Sequence, residues 1–435
     1  MTTNTSVFAA ALAACFCLCS GLPSIRAQDQ SSPPPKTWID PDTGHRVTRL
    51  SDVAGSDSFY FNVNGYTPDG REMVYSVPGG ISVLNLGTLQ SRALLSGVEG
   101  VSTIMVGYKT QTIYYTRPAD EPLYRTLWSA NVDTGEIRQI AKLPRRGGIF
   151  AINADETLGA GDLVEGDAGI TRGTPSRMSN VNLGEPADKD VMMTKRLAQR
   201  LPQALYTVNL QTGEVKYLLH TTDWIDHEQF SPTDPALLMY AHEGHWEKVD
   251  RIWTIRTDGT QNQLIHKRTL KMETDGHEWW SGDGKTIWYQ LRFPQGPNAI
   301  PTLGIIPDRT LPGATYVAGY NVETGERIWY HYNPDATSIH HNSSWDGSLF
   351  VGDGHVNNPW IMICRPVVIP DSPTLGTNLI NTGYFVTERL VNMSKHNYRL
   401  EPNPSFTRDM KYVIFRSNMF GPDYPFAVEV AKAQP

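Results

Sequence analysis

One unit recurs along this chain: a turn rich in Asp and Gly, an apolar strand, a second strand, and a tight turn of the Thr-Gly-Glu type. The first half reads YTPDGREMVYSV at Asp69, VGYKTQTIYYTR near Lys109, INADETLGAGDL at Asp155 and FSPTDPALLMYA at Asp234. It returns as WSGDGKTIWYQL at Asp283, SSWDGSLFVGDG at Asp346 and SFTRDMKYVIFRS at Asp409. The second half appears as LNLGTLQSRALL, ANVDTGEIRQIA, VNLQTGEVKYLL, IRTDGTQNQLIH and NVETGERIWYH. Asp-Gly and Thr-Gly pairs accept the positive φ that a tight hairpin needs, and their flanks alternate as strands do. Four short strands recurring every ~40–50 residues specify a β-propeller, whose blades pack face to face around a channel. Seven turns predict an all-β, seven-bladed β-propeller, and 435 residues are too many for a single two-sheet sandwich.

The ends and insertions are read against that repeat. Residues 7–19, VFAAALAACFCLC, are apolar but too short to span a bilayer, and SIRAQD follows. We expect residues 1–27 to be a signal peptide cleaved after Ala27, with processing as a lipoprotein at Cys15 as the alternative. Either route predicts an exported protein, periplasmic or extracellular. Residues 28–37 form a Pro/Ser-rich linker and residues 38–435 the propeller domain. Cleavage removes Cys15, Cys17 and Cys19, leaving Cys364 alone in the strand-like IMIC, so neither an intrachain disulfide nor a thiolate metal cluster is expected. The formal net charge of −7, from 38 basic and 45 acidic residues, provides no footprint for nucleic acid. No other stretch is long and apolar enough to be a membrane span. Residues 164–200 and 294–313 break the strand pattern and are expected as long loops over one face. The first of them ends in a helical stretch, with Met193, Leu197 and Leu201 on one side and Lys195, Arg196 and Arg200 as its polar residues.

Histidine and tryptophan concentrate between residues 227 and 280, in WIDHEQFSPTDP, AHEGHW, RIW and GHEWW. These polar clusters lie where apolar runs start or end, which in a strand scaffold is where functional side chains are displayed. For any one of them, a turn or edge role bonding to backbone is the plainer reading. The chain has no G-x-S-x-G elbow, P-loop or dinucleotide fingerprint. His242-Glu243-Gly244-His245 is not H-E-x-x-H. What remains, histidine, arginine and carboxylate at strand ends, suits proton abstraction beside a carboxylate. Elimination across C4–C5 of a uronic acid needs a base near neutrality, a cation on the carboxylate and room for the leaving oxygen.

With these residues in place the chain resembles the oligogalacturonate lyase family, which degrades short pectic fragments. The matching motifs are QRLPQALYTVNLQTGE, the strand end at His227, AHEGHWEKVDRIW, DGHEWWSGDGKTIWY, SSWDGSLFVGDG and NPSFTRDMKYVIFRSN. The resemblance implies a seven-bladed propeller lyase with a manganese-type metal site. It implies His227 as base, Arg200 as the assisting arginine with Arg196 one helical turn away, and His277 as first metal ligand. The family's remaining ligands come from a Q-x-x-H-x-H segment, where this chain has Tyr398-Arg399-Leu400-Glu401-Pro402-Asn403. Glu401 and Asn403 therefore complete the expected metal set. A set of His, Glu and Asn favours Mn²⁺, Ca²⁺ or Mg²⁺ over Zn²⁺; a metal-free site with Arg399 on the substrate is the alternative. His242, His245, Arg196 and Trp279 are expected to bind an oligouronide, with Trp246 and Trp280 also available for stacking, although a tryptophan packed between blades is the commoner fate. His340 and His341 at another strand entrance are candidates for sugar contact or for structure. A non-catalytic exported propeller of the TolB type, binding glycans or envelope proteins, is the reading from a different class.

Overall fold

Seven antiparallel units follow one another in a computed structural model that describes residues 34–166, 186–293, 314–332, 336–370 and 380–433. The expected signal peptide, the start of the linker and the loop at 294–313 lie outside the described residues, as does much of the insertion at 164–200. The second blade has strands Glu72–Val77, Gly80–Asn85 and Gln90–Ser96, and an isolated bridge from Tyr66 to Met73 marks its inner edge. The third runs through Ser102–Val106, Thr112–Pro118, Arg125–Asn131 and Ile137–Lys142. The fourth comprises Ala151–Ile152, Leu158–Val164, Gln203–Asn209 and Val215–Thr221, and the fifth Ile225–Phe230, Leu237–His242, Ile252–Arg256 and Gln263–Leu264. The sixth, Thr274–Trp280 through Arg327–His331, and the seventh, His341–Ser343 through Asn381–Asn392, join into one eight-stranded sheet. The joint is a parallel pairing of their outer strands, with Ile328 opposite Asn381 and Tyr330 opposite Gly383.

The first blade is built from both ends of the chain. Its inner strands Ser405–Phe406, Tyr412–Ser417 and Tyr424–Lys432 come from the C-terminus, and His45–Arg49 and Thr37–Ile39 add to their outside. Val47 pairs with Val428 and Arg49 with Phe426, which closes the ring.

Local chemistry explains the repetition. In every blade the residue that opens the Asp/Gly turn donates the same backbone hydrogen bond: Thr67, Gly107, Asn153, Ser231, Ser281, Ser344 and Thr407 donate N–H to the carbonyl of Glu72, Thr112, Leu158, Leu237, Thr286, Leu349 and Tyr412. At the other end of the unit, Asn131, Asn209 and Asn321 each accept two backbone N–H groups on the side-chain oxygen, turning the chain into the Thr-Gly-Glu hairpins. The middle strands bury both faces, as LLMYA in the fifth blade and IWYQL in the sixth show. One packed layer between the seventh and first blades holds Ile361, Ile363, Leu390, Val413, Phe415 and Phe426. Cys364 is buried, and burial pushes its thiol up to about 12.

Strand direction fixes where function can sit. Each innermost strand enters at one face of the ring and leaves through its Asp/Gly turn at the other. The connection between the second and third strands therefore returns to the entry face, and it carries the insertion at 165–202 and the segment 243–251. Helix Pro186–Gln199 belongs to that insertion. It docks on the fifth blade, where Thr194 bonds His245 at 2.7 Å. Among the described residues no helix is long and apolar enough to cross a membrane.

Candidate active site

The repeat itself positions the site. Four residues before the turn-opening residue, the innermost strands of the fifth, sixth, seventh and first blades carry His227, His277, His340 and Asn403. The same position holds Val63, Thr103 and Ile149 in the other three, so the histidines gather on one side of the channel mouth. His227, His277 and Asn403 have φ of 58°, 50° and 51°. This left-handed conformation is uncommon outside glycine and costs ~1–3 kcal/mol per residue, so the surrounding structure must enforce it. The ladder shows how: register shifts fall between Asp226 and Gln229 and between Gly276 and Trp279, bulges that re-aim a side chain. His227 and His277 both face a central cavity of about 1250 Å³.

Behind His227 runs a buried chain of charge. His227 Nε2 lies 3.3 Å from Glu243 Oε2, Glu243 lies 2.9 Å from Arg251 Nη1, and Arg251 Nε lies 3.1 Å from Glu278 Oε2. Arg251, Glu243 and Glu278 are 1%, 4% and 1% exposed, so these pairs are barely screened. The Arg251 guanidinium also covers the Trp246 ring at 5.0 Å. Burial would lower the His227 pKa, but the Glu243 hydrogen bond and then Asp226 outweigh it, and the net shift is upward. Burial would raise Glu243; Arg251 and then His227 outweigh it and hold the carboxyl below its usual range. A carboxylate on Nε2 assigns the proton to that nitrogen and leaves Nδ1 as the acceptor, the arrangement of an oriented general base. Asp226, His227 and Glu243 stand close enough to share a cation. Glu243 already serves Arg251, and Asp226 accepts the His227 backbone N–H at 2.8 Å, so the geometry is that of a held base.

A second group lies across the channel mouth. The rings of His277 and His340 approach to 4.4 Å between centroids, and His340 Nε2 stands 3.8 Å from Glu401 Oε2 and 3.1 Å from the Tyr60 hydroxyl. His340 Nδ1 is 2.9 Å from Asp353 Oδ2, and His277 Nδ1 is 3.1 Å from Gln290 Oε1. Both imidazoles are thus fixed through Nδ1, as metal-binding histidines are usually held; this leaves Nε2 of His277 for a ligand, while Nε2 of His340 meets the Tyr60 hydroxyl, which an ion there would displace. Burial, then His340 and Arg292, depress the His277 pKa well below its usual value, keeping the ring neutral and able to donate a lone pair. Two imidazoles and a carboxylate are a donor set suited to Mn²⁺. Of the expected metal set, His277 and Glu401 line the cavity, while Asn403 is 1% exposed and donates Nδ2–H to the Glu401 carbonyl. His340, fully buried like Asn403, stands beside both His277 and Glu401 and joins the expected set, and Asn403 keeps a buried Oδ1 without a hydrogen-bond partner among the described residues.

The remaining expected residues divide by location. His245 lines the cavity, as do Trp246 and Trp280. Trp279 is instead packed between blades at 1% exposure, against Phe61 and Phe350, with its indole N–H on Ser343; it is a core residue. Arg196 was expected on a polar helix face, but it is buried against the Trp224 ring and donates to Gln203, because the helix lays this side on the strands below. Arg200 sits just past the helix end at φ 46°, paired with Asp223 and Thr222 and half exposed. His242 lies between Trp253 and Tyr240, and neither it nor Arg200 lines the cavity with His227. Sequence reasoning missed Tyr60, Glu243, Arg251 and Arg292 on the cavity wall. His340, left open between two roles, could have been found from the repeat, because it precedes Ser344 by the same four residues that separate His227 from Ser231.

Comparison with known proteins finds similar sequences and folds. The oligogalacturonate lyase family profile matches residues 189–299, the stretch that contains His227, Glu243, Arg251 and His277. The chain is 28% identical over 228 residues to an oligogalacturonide lyase of Pectobacterium atrosepticum, an overlap that spans about half (53%) of that relative's length. It is 23% identical over 411 residues to an oligogalacturonate lyase of Dickeya dadantii, covering 88% of this chain and 93% of the relative. Among solved structures, an oligogalacturonate lyase in complex with manganese superposes with a TM-score of 0.69 at 22% identity, over 91% of this chain and 96% of the other. The enzyme of that name from Vibrio parahaemolyticus gives 0.68. At this identity the structural matches establish the shared propeller fold.

Proposed function

We propose that this chain, a member of the oligogalacturonate lyase family, cleaves pectic oligouronides by β-elimination with His227 as the base. The observation that carries the reading is the His227–Glu243 pair on the cavity wall, a histidine oriented by a buried carboxylate that Arg251 keeps ionised. Neutral His227 takes the C5 proton of a 4-linked uronic-acid residue. The electron pair forms the C4–C5 double bond as C4–O breaks, and the departing sugar oxygen takes a proton from a water molecule to leave as a hydroxyl. Glu243 stabilises the imidazolium that results. Arg292 lines the cavity beside His277 and supplies a cation for the substrate carboxylate, a role that Arg200 does not reach from its pair with Asp223.

His277, His340 and Glu401 would hold a divalent ion, which we infer to be Mn²⁺, with Ca²⁺ the alternative. Bound there, it would neutralise carboxylate charge and make the C5 proton more acidic. The protein's contribution is the preset direction of both imidazoles, through Asp353 and Gln290, and exclusion of bulk water by His245, Trp246 and Trp280. We further infer that the protein is exported, from the leader at residues 1–27, and meets its substrate outside the cytoplasm.

The test is ultraviolet absorbance of the conjugated 4,5-unsaturated product, with the mature protein and oligogalacturonates of defined length. We expect a rise that His227→Ala abolishes and a chelator suppresses. No rise on any uronide with a folded protein would overturn the lyase reading in favour of a binding propeller.

A further inference from the structure

The channel has a second end, and three residues there stand out from the repeat. One position after the turn-opening residue, the blades carry Pro68, Tyr108, Ala154, Pro232, Gly282, Trp345 and Arg408. Four are small or Pro; the other three are large and line the same cavity as His227. Trp345 and Tyr108 approach across the channel to 6.2 Å between ring centroids, although they belong to the seventh and third blades. The Arg408 guanidinium, from the first blade, covers the Trp345 ring at 4.2 Å. Gly282 occupies this position in the sixth blade, and a side chain there would collide with the Trp345 backbone and ring. The glycine lets the tryptophan in.

Among the described residues Arg408 forms no ion pair with a carboxylate, and the nearby acid Asp69 is held by Thr67 and Arg71. Its Nε and Nη2 are buried and have no hydrogen-bond partner. The acid next to it in sequence, Asp409, is taken by Thr407 and Lys411. Buried donors left unmade cost ~1–3 kcal/mol each, more when charged, so a fold that keeps one facing a cavity has a use for it. Five residues of extended strand separate this position from the His227 position, roughly 15 Å. That is the span of a short oligosaccharide.

We propose that this far end of the channel is a second carboxylate subsite, in which Arg408 pairs with the carboxylate of a remote uronic-acid residue and Trp345 carries its ring. The assignment rests on the reading of the substrate as an oligouronide. An arginine fork fits a carboxylate, an indole face fits a pyranose, and the two are already stacked, so little ordering is lost on binding.

Galacturonate, which lacks a leaving group at C4, serves as the probe, titrated by calorimetry and by tryptophan fluorescence against galactose, acetate and phosphate. The fluorescence change due to Trp345 is isolated by difference from Trp345→Phe. We expect galacturonate to bind and quench Trp345 where galactose does not. Arg408→Gln should weaken this by at least about tenfold, with Arg408→Lys intermediate. Arg408→Gln should leave the unliganded melting temperature equal or raised, because it removes an unpaired buried charge, and should raise KM for longer oligogalacturonates more than for the dimer. Quenching unchanged in Arg408→Gln overturns the subsite, as does a lowered melting temperature with unchanged binding, which marks a structural plug. Phosphate binding as well as galacturonate also overturns it, since the site would then not read a sugar. These binding measurements need no turnover. Galacturonate bound through Arg408 by a protein that eliminates no uronide would leave the subsite standing and remove the lyase.

Discussion

At the residue scale the base is defined by what stands behind it. His227 has a pKa raised above its ordinary 6.5 because Glu243 and Asp226 outweigh burial. A base acts in its neutral form, so activity should fall as pH drops through that raised pKa, placing the acid limb of kcat/KM on the alkaline side of 6.5. In Glu243→Gln the raising partner is gone while Arg251, which lowers His227, remains. The limb should therefore move to lower pH and the maximal rate should drop ~10²-fold or more, as for loss of a charge that stabilises the imidazolium. A limb that stays in place would separate Glu243 from the base. Arg251 invites a different measurement. It is fully buried between Glu243 and Glu278, and replacing it by Met leaves two carboxylates facing each other without a cation. Urea unfolding should show a loss of ~3–5 kcal/mol, whereas a surface ion pair such as Lys285–Glu323 should be worth less than ~1 kcal/mol.

At the element scale the unit of design is the innermost strand: a bulge that turns a side chain inward, then a turn that returns the chain. This explains what could be read from sequence and what could not. The turns are written in local chemistry, Asp, Gly, Ser and Thr at fixed offsets, and seven of them gave seven blades. The bulge has no residue signature here, since His227, His277 and Asn403 take positive φ without glycine. The inward direction of His227 and His277 was therefore hidden, and His340 could not be told from its neighbour His341. Arg196 and Arg200 were read from a helical periodicity that does not say which side docks, and Trp279 and Trp280 look alike in sequence although both are buried in the core and only Trp280 reaches the cavity. The repeat makes a prediction at this scale. If His340 shares the metal role with His277 and Glu401, calorimetric titration with Mn²⁺ should give affinity reduced ~10–100-fold in Asp353→Asn, which disturbs the carboxylate that holds both Nδ1 and the backbone N–H of His340. Asn403→Ala should change it little. The reverse order would return the ligand role to Asn403.

At the scale of the whole molecule, a ring of blades differs from a row of repeats in having no end. Stacked repeats fold nearly one by one, with stability summed over nearest neighbours. Closing the row into a ring gives every blade two neighbours, and here the closure is a strand pairing within the first blade, Val47 with Val428 and Arg49 with Phe426. Its consequence reaches the site, because Glu401 and Arg408 enter from the same first blade whose outer wall this strand forms. Val47 is fully buried beside Val428, Phe426 and Ile361. Val47→Asp puts an unpaired carboxylate in that layer and should cost more than ~4 kcal/mol. The loss should not be uniform. Hydrogen exchange should accelerate first in strands Tyr412–Ser417 and Tyr424–Lys432 and in their seventh-blade neighbour Trp360–Val368, while the fourth and fifth blades keep their protection. If the blade is the cooperative unit, Mn²⁺ affinity should fall along with exchange protection in the first blade, because Glu401 depends on it, while the His227–Glu243 pair in the fifth stays ordered. Exchange that quickens equally in all seven blades would mean that the propeller opens as one body and that closure holds no blade in particular.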